Sequence, residues 1–558
     1  MTDGAARRGS PPEFSPSPPE FSPSRSMLRA ATVGAIAGAV GIATSELVAG
    51  VIPGAPSLVV AVGSLAIALQ PAGAKDVMTT LFGTNDKAAL NVAVVVVALL
   101  VAAVSGILGR RSFGSASWLL AGFGFVAFVA AAVQPLTSQV LAAANAAVAT
   151  AAGIGTLRIL LSDAGFMAPV RLSLGSSGEA DGSVTSPRSE ALPRSVPSVP
   201  MPDWSRRRFL IRSVAFVVGA LAAGTLGRLL IDRGHPAGVP VSATLPAAAE
   251  VVPPLTSAES LHEPGITAIV IANDSFYRID TELLVPQVDA STWQLQVTGM
   301  VDHPLTFTYP QLVALPLFEQ YVTLACVSNT VGGDLVGNTL WTGVHLKEVL
   351  AKAGVQPGAT QIVGRSVDGF TVGFPTSWAL DPSREPMIAV GMNRVPLPAE
   401  HGYPARLIVP GLYGYVSATK WLSEIELTTI EAFDAYWVAL GWAKDGPILT
   451  ESRIDHPSDG ANLPAGPVDI DGLAWAPDRG VGRVEVRIDN GPWQAALLSR
   501  AISRATWVQW WLRWQATPGT HTIQVRATDG TGAVQTAVVG GPAPAGATGY
   551  DGVQVSVS

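Results

Sequence analysis

A chain of 558 residues is long enough for more than one domain, and its composition is uneven. Only 14% of the residues are charged, fewer than in an average soluble protein, and the apolar excess sits in the first third. The net charge of −7 comes with no large basic patch, which argues against nucleic acid as a partner.

Residues 1–26 read as a disordered tail, because PPEFSPS occurs twice in tandem and so Pro/Ser-rich a stretch cannot bury enough surface to fold. Long apolar runs follow at 28–52, 88–108, 116–135 and 138–161, each close to the ~20 residues a bilayer requires. They define a membrane bundle of four spans over 27–161. A shorter run, Pro56–Gln70, is read as interfacial or re-entrant. Only then do Arg7, Arg8, Arg25 and Arg29, Arg110 and Arg111, and Arg158 and Arg171 all fall on the cytoplasmic side. Glu46 lies near the end of the first run, and a position at the outer interface is expected for it. No histidine precedes His235. A b-type haem in this bundle would lack its usual axial ligands, so no haem is expected.

Residues 162–204 form a Ser/Pro/Gly-rich linker, and 205–233 carry SRRRFL ahead of a final apolar run, Phe209–Ile231. This resembles a twin-arginine export signal. A positive flank alone would explain the arginines but not Phe209 and Leu210. The preceding spans return the linker to the cytoplasm, where such a signal is read, and the last run then carries the remainder outward. The chain is therefore expected at the cytoplasmic membrane, multi-pass in the lipid bilayer, with its later domains outside.

From about Val251 the charge density rises and Trp, Pro and Gly punctuate short segments. TWQLQVTGMV (Thr292–Val301) alternates like a half-buried strand. QLVALP and LKEVLAKAG read as short helices, the second capped by Gly354. Cys326, in YVTLACVSNT, is the only cysteine in the chain. It cannot form an internal disulfide, which leaves an inert core thiol, a nucleophile or a metal ligand. One cysteine also cannot supply a four-thiolate iron–sulfur site.

The blocks FYRID (Phe276–Asp280), VPQVDASTWQLQVTGMV, LACVSN, WTGVHLKEVL, GMNRVPLPAEHGYPARLIVPG and ATKWLSEIEL occur in an order and spacing that resembles the molybdopterin domain of the sulfite oxidase family. The resemblance covers about 270–430 within a domain set at 250–432. It implies a molybdenum–molybdopterin cofactor with Cys326 as the metal's thiolate ligand, a soft donor suited to such a site. It further implies cofactor contacts from Tyr277, Arg278, Asp368, His401, Arg406, Ala418, Thr419 and Lys420. Arg406 would hold phosphate oxygens bidentately, and Ala418 and Thr419 would act through their backbone. Cys326 and Arg278 are the expected catalytic residues.

Two departures bear on the substrate. Relatives commonly follow the cysteine with Gly-Asn-Arg-Arg, where this chain has Ser328-Asn329-Thr330-Val331. They also place a tyrosine beside the metal in a region that here reads Gly441-Trp442. Losing two cations makes a small dianion such as sulfite a poor fit, because desolvating its charge requires fixed counter-charges.

Residues 445–558 alternate as strands, with RVEVRIDNGPW turning at Asp489-Asn490-Gly491. An immunoglobulin-like sandwich is expected, of the kind that mediates homodimers in relatives. Trp507, Trp510, Trp511 and Trp514 are expected to serve core and inter-domain packing. The fold class is thus multi-domain: an all-α membrane bundle, an α+β sulfite-oxidase-like molybdopterin domain and an all-β immunoglobulin-like sandwich. The function implied is two-electron oxygen-atom transfer on a small-molecule substrate, with a separate electron-transfer partner. The alternative is a membrane-anchored binding module that has lost the metal.

Overall fold

The computed structural model of the protein describes residues 23–70, 86–135, 137–167, 203–233, 245–261 and 263–558. The expected tail as far as residue 22, and the linker over 168–202, lie outside the described residues. The chain divides into two compact units, one helical and N-terminal, the other holding Pro236–Ser558.

The first unit contains α1 (Pro23–Val51), α2 (Leu58–Ala68), α3 (Asp86–Gly109), α4 (Phe113–Ala132), α5 (Gln139–Asp163) and α6 (Asp203–Asp232). Five of these helices are long and apolar enough to cross a membrane, and α2 is not. Serines open three of them: the side chains of Ser57, Ser112 and Ser138 each accept a backbone N–H of the first turn. Small residues let α1 approach its neighbours closely. A Cβ on Gly34 would lie 2.0 Å from the Ala102 carbonyl oxygen, and one on Gly227 would lie 2.4 Å from the Glu46 carbonyl carbon.

Glu46 stands near the end of α1, and its carboxylate is buried among the helices. It accepts a 2.6 Å hydrogen bond from Ser57, the residue that caps α2. Asn145 on α5 donates to the Pro56 carbonyl at 2.8 Å, and Arg228 on α6 lies 3.8 Å from Glu46. The segment after α1 is thus pinned back onto the bundle by side-chain bonds, which explains why a short apolar helix is stable there.

In the second unit one sheet runs β2-β1-β10-β5-β6, built from β1 (Gln294–Gly299), β2 (Leu305–Thr308), β5 (Gln361–Ser366), β6 (Thr371–Pro375) and β10 (Leu422–Thr428). A second runs β3-β4-β7-β8, from β3 (Leu317–Ala325), β4 (Val336–His345), β7 (Met387–Met392) and β8 (Val395–Pro396), with β9 (Arg406–Ile408) also on β7. The expected short helices are present as α7 (Tyr309–Val313) and α8 (Leu346–Ala353). α8 ends at Gly354, whose φ of +71° suits glycine as a C-cap. β7 and β8 are joined by Asn393 and Arg394, both at positive φ, as a two-residue hairpin turn demands.

β3 and β4 are covered on both faces, so they show no polar alternation. Their polar side chains are satisfied internally: Thr323 donates to Asn338 at 3.1 Å, and Asn338 donates to the Ile269 carbonyl at 2.7 Å.

The C-terminal strands form two sheets. One is β11-β13-β17-β16: β11 (Glu451–His456), β13 (Gly466–Trp475), β16 (Leu497–Leu498) and β17 (Val508–Ala516). The other is β12-β19-β18-β14-β15: β12 (Asn462–Leu463), β14 (Val481–Ile488), β15 (Gln494–Ala495), β18 (Gly519–Asp529) and β19 (Asp551–Val557). Val484, Val486, Trp510, Ile523 and Val525 fill the space between them. Trp507 instead belongs to the core of the preceding sheets, and its indole donates to the Ile269 carbonyl at 2.9 Å. Its backbone N–H also bonds Thr323 on β3 at 2.8 Å. The C-terminal sheets therefore brace β3, the strand that ends one residue before Cys326.

Candidate active site

Cys326 follows the last residue of β3. Its N–H donates to the Leu335 carbonyl at 2.9 Å, and its own carbonyl accepts from Asn329 N–H at 3.0 Å. The Asn329 side chain closes the same loop by accepting from Leu335 N–H at 2.9 Å. Leu335 thus meets the loop twice, which fixes the direction of the thiol. The half-buried thiol lies on the wall of a cleft of about 890 Å³, open to solvent, together with Tyr277, Asp368, Arg406, Ala418 and Lys420. These residues come from five separate segments of the chain.

Arg406 begins β9. Its side chain is buried, lies 5.0 Å from the Trp341 ring centroid, and donates to the His401 carbonyl at 3.1 Å and the Ala418 carbonyl at 3.5 Å. No carboxylate pairs with it among the described residues. Burial accordingly pushes it down to about 10, partly offset by Tyr277. Lys420 is also buried and is pushed down to about 8, mainly by burial and further by Arg406 and Arg278, while Asp280 opposes the shift. Its ammonium bonds Asp280 at 3.1 Å and the Glu400 carbonyl at 2.9 Å.

Gly402, at φ +108°, brings these two segments together, because a Cβ there would lie 3.0 Å from Lys420 Cα. Tyr277 stacks on Phe276 at 5.1 Å, and its hydroxyl is pushed well above the usual tyrosine range by burial and then by Cys326. Asp368 accepts from Phe370 N–H at 2.9 Å and is raised, first by burial and also by nearby Asp280.

Three expected residues do not line the cleft. His401 is buried beside it, edge-on to Phe276 at 5.6 Å. Its Nε2 donates to the Asn273 carbonyl at 2.8 Å, and burial, aided by Arg406 and Lys420, pushes it down to about 4. The ring is therefore neutral, with Nδ1 an acceptor. Thr419 is buried, and its carbonyl is already taken by Leu407 N–H at 2.9 Å. Arg278 is turned aside because Asp280, two residues on, holds its Nε at 2.8 Å. Asp280 carries no role in the sequence reading, although it stands inside the FYRID block. The cleft also gains Tyr415, Trp437 and Trp442, of which the sequence marks only Trp442, as a departure.

Three buried polar atoms in this neighbourhood lack partners: Arg406 Nε, His401 Nδ1 and Thr419 Oγ1. Two donors and one acceptor left unmet at one place is costly unless a polar ligand completes them. Among the described residues no group of three His, Cys, Asp or Glu side chains could hold a metal. A metal at Cys326 would therefore need most of its ligands from a non-protein group. A phosphate-bearing pterin dithiolene meets both requirements, and the residues present fit it.

Comparison with known proteins agrees. Residues 282–437 match the family described as oxidoreductase molybdopterin binding domain. Mitochondrial sulfite oxidase of Homo sapiens is 29% identical over 292 residues, 45% of this chain and 53% of that protein. Nitrate reductase [NADH] 1 of Oryza sativa subsp. japonica is 35% identical over 178 residues, 27% of this chain and 19% of that one. The chain thus spans about half the length of the sulfite oxidase it matches. The crystal structure of the sulfane dehydrogenase SoxCD from Paracoccus pantotrophus aligns with 50% of this chain and 76% of that chain, at 24% identity and a TM-score of 0.44.

Proposed function

We propose that this chain, whose residues 282–437 are a molybdopterin-binding oxidoreductase domain of the sulfite oxidase and nitrate reductase type, is a membrane-anchored, exported enzyme of oxygen-atom transfer. The observation that carries the reading is that Cys326 and Arg406 line one cleft, with Arg406 Nε, Thr419 Oγ1 and His401 Nδ1 left unpartnered around them. Molybdenum held by a pterin dithiolene supplies two-electron oxygen-atom transfer when bound.

The protein's own residues then divide the remaining tasks. Cys326 is the thiolate ligand. Arg406 is the phosphate clamp, its charge already stripped of water and in need of an anion. His401, neutral, offers an acceptor. Lys420, tied to Asp280 and the Glu400 carbonyl, sits at the cofactor end with little freedom to move. Ala418 and Thr419 border that end, and Asp368 and Tyr277 line the approach. Arg278 acts through Asp280 rather than by direct contact with the reacting atoms.

Electrons pass through a separate partner, since the single cysteine cannot hold an iron–sulfur cluster and no histidine precedes His235. Five apolar helices and the twin-arginine-like SRRRFL at the start of α6 support a cytoplasmic-membrane location with the catalytic domain outside. Two facing sheets support an immunoglobulin-like C-terminal domain, with a homodimer as the accompanying proposal. Metal and pterin analysis of the purified full chain tests the reading. Molybdenum stoichiometric with the chain is expected, and metal-free, pterin-free protein from a cofactor-competent host would leave only the binding module.

A further inference from the structure

One wall of the cleft is not accounted for by cofactor binding. Tyr415, Trp437 and Trp442 line it, and they belong to a continuous run of rings. Phe370 and Tyr436 have centroids 5.6 Å apart, Tyr436 and Trp437 5.1 Å, Trp437 and Trp442 6.3 Å, and Trp442 and Tyr415 6.0 Å. The run is fixed by its backbone. Trp442 N–H bonds the Trp437 carbonyl at 3.1 Å, Gly441 N–H bonds the Val438 carbonyl at 3.0 Å, and the Tyr415 hydroxyl donates to the Ala443 carbonyl at 2.6 Å. Lys444 ties the same turn to Asp434 at 2.7 Å and to the Ile430 carbonyl. Such a wall is aromatic, with neighbouring rings inclined by 53° to 81°, and is held in place before anything binds.

Charge tells the same story. The ionisable side chains lining the cleft, apart from the thiol and the tyrosines, are Arg406, Lys420, Asp280 and Asp368. Asp280 binds both Lys420, at 3.1 Å, and Arg278, at 2.8 Å. Once a phosphate engages Arg406, the charged groups left on the lining are Asp368 and the paired Asp280 and Lys420. Next to Cys326, Ser328 supplies a hydroxyl and no charge. A small inorganic anion entering here would lose its hydration without gaining a free cation. A neutral molecule with an apolar group would gain ring contact.

We propose that Tyr415, Trp437 and Trp442 form the specificity-determining surface of the cleft, and that its substrate is an uncharged organic S-oxide with an apolar substituent. The proposal rests on the oxidoreductase reading above. The apolar substituent lies on the rings and the polar S–O end points toward the Cys326 side. In the reaction the S–O bond breaks, sulfur accepts two electrons from an external reduced carrier, and the oxygen takes up two protons and leaves as water. The products are a thioether and the oxidised carrier.

The test uses the full chain in detergent, first assayed for molybdenum and pterin. Reduced methyl viologen serves as donor for methyl p-tolyl sulfoxide and for nitrate, and ferricyanide as acceptor for sulfite. The expected result is a kcat/KM for the sulfoxide about a hundredfold above those for sulfite and nitrate. Trp437→Ala and Trp442→Ala should each raise its KM about tenfold or more with little change in kcat and no change in metal content. Trp442→Phe should restore most of the loss. Without reductant, calorimetry should show methyl p-tolyl sulfone, an uncharged oxide of similar shape, binding to the native chain and about tenfold more weakly to both alanine variants. A loaded chain that turns over sulfite or nitrate better than the sulfoxide overturns the proposal and leaves the oxidoreductase reading intact. So does an unchanged KM and sulfone affinity in both alanine variants. A chain without molybdenum or pterin overturns both.

Discussion

Replacing Arg406 by Met should have opposite effects on the cofactor-free and cofactor-loaded protein. The guanidinium is 4% exposed, unpaired with any carboxylate among the described residues, and held down from 12.5 to about 10 by burial. At about 1.4 kcal/mol per tenfold change in acidity, the buried charge costs on the order of 3 kcal/mol. Arginine is protonated in both folded and unfolded chains at neutral pH. The cost is therefore fully present at pH 7 and is relieved only as pH rises past about 10. Met removes that cost. It also forfeits the contact with Trp341 and the two hydrogen bonds to backbone carbonyls, together about 1–2 kcal/mol. The cofactor-free variant should thus be more stable than the parent by about 1 kcal/mol, seen as a higher midpoint in urea unfolding followed by tryptophan fluorescence. In a cofactor-competent host the same variant should retain about a tenth or less of the pterin, because a charge-assisted phosphate contact is gone. A variant that loses stability equally with and without cofactor would refute the reasoning, since Arg406 would then be an ordinary packing residue.

Cys326→Ser should abolish molybdenum retention and dye-linked turnover while leaving the fold intact by circular dichroism; full activity in that variant would overturn the ligand assignment. Glu451, buried at the start of β11, is pushed up to about 8 by burial, with Asn329 opposing. Its contribution to stability is complete below about pH 4.5 and is lost as pH rises toward about 8. Glu451→Gln should therefore match the parent near pH 4 and exceed it by a few kcal/mol at pH 8.5 in pH-resolved unfolding, a difference that a flat parent profile would disprove. Glu46→Ala should free Ser57 and loosen α2, costing about 1–3 kcal/mol in the helical unit and raising protease cleavage near residues 52–57 without changing metal content.

Much of the candidate site was legible because its chemistry depends on residue types that are rare together. A lone cysteine, an arginine five residues after a histidine, and a lysine fourteen residues beyond the arginine are each unremarkable. Their order across distant blocks is not, and five of the expected residues share the cleft with Cys326. The long apolar helices, the Gly354 cap and the alternating strand at Gln294–Gly299 were legible for the ordinary reason that composition, periodicity and capping are local. The partner of Glu46 was not legible, because position along a helix says nothing of what folds back onto it. The deciding partner, Ser57, stands eleven residues away and acts only after the chain has turned.

Asp280 teaches the same lesson at the site itself, with a consequence for specificity. The sequence shows two cations lost after Cys326 and leaves Arg278 as the remaining anion contact. In space Asp280 also occupies Arg278, and it reaches Lys420 140 residues away. One carboxylate therefore answers two positive charges that a sequence count would credit to the substrate. On the proposed reading anions are disfavoured twice, by the uncharged Thr330 and Val331 after Cys326 and by pairing at Asp280. Pairing is the more easily reversed of the two. Loss of Asp280 would release Arg278 and strip Lys420 of its counter-charge, whereas the aromatic wall, held by its own backbone bonds, would stay where it is.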